Sequence, residues 1–114
     1  NYLIIRGFYP HFHDDGEPLK FPKAADKLTD MMIQEGGVNA ASRVLDLGSG
    51  KGRVCLKIAE QTGASCTGLD LTEENVLRAR ELAAENPKLK LKFVQGSFTS
   101  YPKELLESKF THVF

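Results

Sequence analysis

At 114 residues the chain suits one domain with one modest core. It is 41% apolar and 26% charged, an ordinary globular mix, with 15 Lys and Arg balanced by 15 Asp and Glu. That balance leaves no electrostatic footprint for nucleic acid or an anionic membrane, and no apolar run approaches the ~20 residues of a spanning helix.

Residues 1–21 (NYLIIRGFYPHFHDDGEPLKF) are aromatic-rich and without sustained period, which predicts an irregular arm or lid ahead of an α/β domain over 22–114. The first residues lack the basic-then-apolar pattern of a signal peptide, and Asn1 in place of Met points to a trimmed chain or a piece of a longer one. His11 and His13 stand beside Asp14 and Asp15, but a polar loop accounts for them and no metal site is expected. Tyr2, Phe8, Tyr9 and Phe12 are candidates to cover a pocket or to pack on the sheet, and Arg6 is a weak candidate for a carboxylate partner.

Pro22 suits the first turn of a helix with Ala25, Leu28, Met31 and Met32 facing inward and Gly36-Gly37 ending it. Arg43 to Leu47 reads as a short apolar strand running into a glycine loop. A helix over about 53–62 follows, with Val54, Cys55, Ile58 and Ala59 inward and Gly63 at its end. Residues 64–69 read as a second strand with Asp70 at its tip. Thr72 is the expected N-cap of a helix to about Glu85, with Glu73 and Glu74 in its positive first turn and Pro87 beyond its end. In LKLKFV (89–94), Leu89, Leu91 and Phe93 alternate with lysines, the pattern of an exposed edge strand. A short helix over 101–108 and a fourth strand over 110–114 complete the series. Strands alternating with helices imply βαβ units, right-handed crossovers and a mainly parallel, doubly wound sheet. Cys55 and Cys66 each fall within an apolar element and are expected as buried thiols of a reducing, cytoplasmic compartment; neither belongs to a C-x-x-C pair.

The stretch VLDLGSGKG (44–52) carries the chemistry. A phosphate-binding P-loop would need Ser or Thr after Lys51, where Gly52 stands, and the spacing fails. A dinucleotide loop would read G-x-G-x-x-G, whereas the third glycine arrives one residue early: Gly48, Gly50, Gly52. What remains is G-x-G-x-G preceded by the strand-borne Asp46, with a second acidic residue, Asp70, at the next strand's end.

This pattern resembles motif I of the class I S-adenosylmethionine-dependent methyltransferases, and the likeness runs over about residues 40–114. It implies a Rossmann-like, doubly wound, mainly parallel sheet of which only the first four of seven strands are present, the methyl-donor-binding half of the fold. It implies S-adenosyl-L-methionine as cofactor, S-adenosyl-L-homocysteine as product, and Asp46, Gly48, Ser49, Gly50, Gly52, Asp70, Leu71, Ser97 and Phe98 as cofactor-binding residues. Asp46 would attract the ammonium directly or through water. The loop backbone would lie against the cofactor, with the helix N-terminus favouring its carboxylate. Asp70 would accept from both ribose hydroxyls, with Leu71 and Thr72 near the adenine edge. Where many members carry an acidic residue for the adenine amino group, this chain has Gly96-Ser97-Phe98. That loop is similar to the one in some small-amine methyltransferases, such as the sarcosine and dimethylglycine enzymes, and so implies a small-molecule acceptor. The alternatives are a non-catalytic binding or scaffold module on the same fold and, less well matched, a nicotinamide-dependent oxidoreductase. The fourth strand would be central in the whole sheet, so its open edge predicts pairing with a second copy or a swapped element.

Overall fold

The computed structural model describes residues 3–4, 13–14, 17–18, 21–97 and 99–114. In chain order the elements are β1 (Leu3–Ile4), β2 (His13–Asp14), β3 (Glu17–Pro18), α1 (Phe21–Gly36), β4 (Arg43–Leu47), α2 (Arg53–Thr62), β5 (Ser65–Asp70), α3 (Glu73–Glu85), β6 (Leu91–Gln95), α4 (Lys103–Leu106) and β7 (His112–Val113). Five strands form one sheet in the order β1-β7-β4-β5-β6, and every neighbouring pair is parallel. β2 and β3 form a separate antiparallel pair. Tyr2, Arg6, Phe8, Tyr9, His11 and Phe12 lie outside the described residues.

The chain winds outward from β4 through β5 to β6, then returns to place β7 on the other side of β4. This reversal opens a crevice at the carboxyl ends of the strands, the position where open α/β sheets receive ligands. Each strand sends successive residues to opposite faces. Val44, Cys66 and Phe93 pack with Cys55, Ile58, Val76 and Ala79 on the α2–α3 side. Leu45, Leu69 and Val94 pack with Leu105 on the other. Both cysteines are free and buried, as expected.

Several expectations are corrected. The last strand does not present an open edge: β1 pairs with β7, Leu3 opposite His112 and Ile4 opposite Val113. The edge that was to recruit a second copy is therefore occupied from within the chain. β6 begins only at Leu91, because Leu89 belongs to the turn after α3, its N–H donating to Asn86 O at 3.0 Å. Phe93 and Val94 are both buried, so β6 is an edge strand without strict alternation; α4 covers its second face through Leu105. Met31 is 41% exposed while Leu28 and Met32 are buried. Positions four apart share a helix face, and Met31 falls off that stripe.

Candidate functional site

The glycine loop leaves β4 at Leu47. Gly48 (φ 72°), Gly50 (φ 56°) and Gly52 (φ 89°) all occupy the left-handed region, which glycine adopts without penalty. A Cβ at Gly48 or Gly50 would meet nothing within 4 Å among the described residues, so both present bare backbone there. At Gly52 a Cβ would lie 2.7 Å from Phe93 Cζ and 3.2 Å from Ala79 Cβ, so this glycine packs the loop onto the core. The loop is tied to β5: the N–H groups of Gly48 and Ser49 donate to Leu69 O at 2.8 and 3.1 Å. Ser49 is buried over Gly68, where a Cβ would overlap Ser49 Oγ.

Asp70 is the hub between loop and helix. Its Oδ2 accepts from Gly50 N–H at 2.8 Å, and its Oδ1 accepts from Thr72 N–H at 2.9 Å and Asn75 Nδ2 at 3.4 Å. Burial would raise its pKa, but these donors, first the Thr72 and Gly50 N–H groups, outweigh that and hold the carboxyl below its ordinary value. Asp70 is thus an anion with fixed orientation. Thr72 sits at the N-cap of α3, where its carbonyl accepts from Val76 N–H at 3.1 Å; it makes no side-chain cap bond, and its N–H serves Asp70.

Asp46 lies on the α2 side of β4, where it is 8% exposed. Its side-chain hydrogen bond comes from Cys55 Sγ, 3.8 Å from Oδ2. Burial pushes the Asp46 carboxyl up to about 7; the Cys55 bond opposes this, and the nearby Asp70 charge adds to it. A hydrogen bond with Cys66, together with burial, raises the Cys55 thiol well above its ordinary value, so that sulfur stays protonated and donates.

A cleft of about 500 Å³ runs across the strand ends, within the usual size of small-molecule sites. Of the expected residues, Gly48, Asp70, Leu71 and Ser97 line it, and so does Thr72. Asp46, Ser49, Gly50 and Gly52 do not, and Phe98 lies outside the described residues. Leu47, Leu69, Asn75 and Gly96 complete the wall and were not singled out from sequence. Leu47, Leu69 and Gly96 directly precede the marked residues Gly48, Asp70 and Ser97, and Asn75 lies one helical turn after Thr72, so position relative to the marked residues was the available signal. Leu71 is 70% exposed at the rim, an apolar side chain open to a flat partner. At the far end Gly96 packs on Pro102, and Ser97 Oγ lies 2.7 Å from Thr99 Oγ1.

Geometry and chemistry therefore run in sequence along the cleft: bare loop backbone, a fixed carboxylate, then an apolar and hydroxyl-bearing end. Known proteins match this chain over the same region. A sterol 24-C-methyltransferase of Gibberella zeae is 38% identical over 84 residues, 72% of this chain and 22% of that protein. Among solved structures, an RNA methyltransferase from Salinibacter ruber, in complex with S-adenosyl-L-homocysteine, superposes with a TM-score of 0.60 at 28% identity, over 74% of this chain and 52% of that one. The cyclase SpnF superposes with a TM-score of 0.71 at 26% identity, over 82% of this chain and 35% of that one. The chain spans less than a third of the length of the curated relatives it matches. A family model described as a methyltransferase domain matches residues 38–114, well over half of the chain, and the chain belongs to that methyltransferase family.

Proposed function

We propose that this chain supplies the S-adenosylmethionine-binding part of a methyltransferase acting on a small-molecule acceptor. The observation that carries the reading is Asp70, an oriented carboxylate in the cleft between bare loop backbone and the Ser97 end. The methyl donor has the matching order of parts: an amino acid, a ribose diol and a flat purine. Asp70 would accept from the ribose hydroxyls. Gly48 and Gly50 leave room for close approach, since a side chain at either would project into the open space beside the loop. The N-terminus of the ten-residue α2 favours the carboxylate of the amino-acid end. Asp46 beneath the loop supplies negative charge for the ammonium once it ionises. Leu71 offers an apolar surface to the purine.

When bound, S-adenosylmethionine supplies an electrophilic sulfonium methyl for in-line displacement. The protein's own part is to align the reactants and exclude water. An acceptor that reacts only after losing a proton also requires a general base. Balanced charge favours a small acceptor over a nucleic acid or a membrane surface. The sterol and rifamycin methyltransferases among the relatives are named for small molecules, which supports the same choice. Two free buried thiols fit a reducing cytoplasm. An arm over residues 1–21 ahead of a binding domain over 22–114 remains part of this reading, and Leu3–Ile4 pairs with β7.

Calorimetric titration with S-adenosyl-L-homocysteine tests the reading. Binding is expected, and Asp70→Ala is expected to weaken it by about 1–3 kcal/mol through loss of the ribose hydrogen bonds. A folded chain that takes up no ligand would refute it. A second reading, a module that binds without methyl transfer, draws on the cyclase neighbour, whose name is not that of a methyltransferase. Radiolabelled methyl transfer by the longer protein separates the two. Binding of NADH in place of S-adenosyl-L-homocysteine would revive the oxidoreductase alternative.

A further inference from the structure

We propose that the Ser97–Thr99 hydroxyl pair makes the purine end of the cleft indifferent to the substituent at purine position 6, so that a 6-oxo purine ligand is held as well as a 6-amino one. The inference rests on the methyl-donor reading above and deepens it. Connectivity places the purine. The loop takes the amino-acid end and Asp70 the ribose, so the base extends toward Leu71, Gly96 and Ser97.

That end is electrically neutral. Asp70 is the one charged residue among the described residues that line the cleft, and it is held at the ribose position by Gly50 and Thr72. Neighbouring donors at the purine end are already engaged: Gly96 N–H donates to Asp70 O at 2.9 Å, and the Gln95 amide donates to Leu71 O at 3.3 Å. The Ser97 side chain also lines this end, and the bonding of its hydroxyl can be counted. A hydroxyl has one donor and two acceptor sites. Thr99 N–H donates to Ser97 Oγ at 3.1 Å and takes one acceptor site. The 2.7 Å contact with Thr99 Oγ1 uses one more, and either oxygen can be the donor.

The two arrangements leave opposite capacities. If Ser97 donates to Thr99, one acceptor site is left on Ser97, which suits a 6-amino group. If Thr99 donates to Ser97, the Ser97 proton is left, which suits a 6-oxo group. Reversal costs only two hydroxyl rotations. A carboxylate at the same position accepts only, and would leave a 6-oxo group facing a like partner unpaired. Sites built around a fixed hydrogen bond discriminate strongly, and this site lacks that fixity.

The test compares S-adenosyl-L-homocysteine with S-inosyl-L-homocysteine by calorimetry, on the wild-type chain and on Ser97→Asp and Ser97→Ala. Wild type is expected to bind the two within about threefold of each other. Ser97→Asp is expected to favour the adenosyl ligand by about tenfold or more, the size of one mismatched hydrogen bond. Ser97→Ala is expected to weaken both by similar factors and keep the ratio near one. A wild-type preference for the adenosyl ligand above tenfold would overturn the proposal, as would a Ser97→Asp ratio unchanged from wild type. A folded wild type that binds neither ligand would instead bring down the methyl-donor reading, and this inference with it.

Discussion

Replacing Asp46 with Asn should stabilise the protein, and more so as pH rises. Asp46 is 8% exposed, no cation among the described residues is paired with it, and its side-chain partner is a thiol 3.8 Å away. Its carboxyl is lifted from 3.8 to about 7. At about 1.4 kcal/mol for each factor of ten in proton affinity, ionising it in place costs about 4 kcal/mol. The sign follows from proton counting. Between pH 3.8 and about 7 the folded chain holds the Asp46 proton and the unfolded chain does not, so stability falls across that window and levels off above it. At pH 5 roughly a third of the cost is present and at pH 8 nearly all of it. Asn cannot ionise, so its advantage over Asp should grow by about 2–3 kcal/mol between those two values. Any steric or hydrogen-bonding change from the amide is common to both and cancels. Asp70 works in the opposite sense: its lowered pKa gives stability that is lost only as pH falls below the ordinary carboxylate range, so pH 5 to 8 leaves it out. Urea denaturation of both proteins at the two pH values provides the measurement. Parallel stabilities across the range would refute the assignment of a costly buried carboxylate.

Three further outcomes are expected. Gly52→Ala should cost more than about 2 kcal/mol in urea denaturation, because positive φ strain adds to a Cβ driven against the Phe93 ring, whereas Gly48→Ala should cost about 1 kcal/mol and instead reduce affinity for S-adenosyl-L-homocysteine. Equal destabilisation by the two would contradict the division of the loop into a packing glycine and open ones. Gly68→Ala should cost about 1–3 kcal/mol, since the new methyl overlaps Ser49 Oγ and comes within 2.6 Å of Phe93 Cδ1; a wild-type melting temperature would show that Ser49 has another place to go. Affinity for S-adenosyl-L-homocysteine should fall as pH drops below about 7, where Asp46 takes up its proton, and should lose that dependence in Asp46→Asn. A matching slope in both proteins would remove Asp46 from the electrostatics of the amino-acid end.

The elements from β4 to α3 were legible because their signals are local. Gly63, at φ 74°, closes α2 where a left-handed residue was expected, and β5 places Asp70 at its tip within one residue of the predicted span. Helix spacing named Cys55, Ile58 and Ala59 correctly as buried. The misreadings depended on contacts distant in sequence. Lysine alternation made 89–94 look like a one-sided strand, yet Val94 is buried by Leu105, eleven residues on. The β7 edge looked open because nothing in 110–114 announces that Leu3–Ile4 will pair with it.

The site divides along the same line. Motif spacing singled out the loop and its two aspartates without revealing how different the aspartates are. Asp70 receives N–H groups from the loop and from the start of α3, which requires β4, β5 and α3 to converge. Asp46, four residues from Gly50, faces a thiol that only the packing of α2 against the sheet brings near. One carboxyl is thereby held below its ordinary pKa and the other raised to about 7, under a single loop. The Asp70 charge adds to the cost of ionising Asp46. A ligand with a cationic amino-acid end and a neutral diol would relieve this cost: the cation would favour ionised Asp46, and the diol would donate to Asp70. A dinucleotide, with its phosphates over the same loop, would worsen it. The electrostatics of the fold thus favour the same class of ligand as the spacing of its glycines, on independent physical grounds.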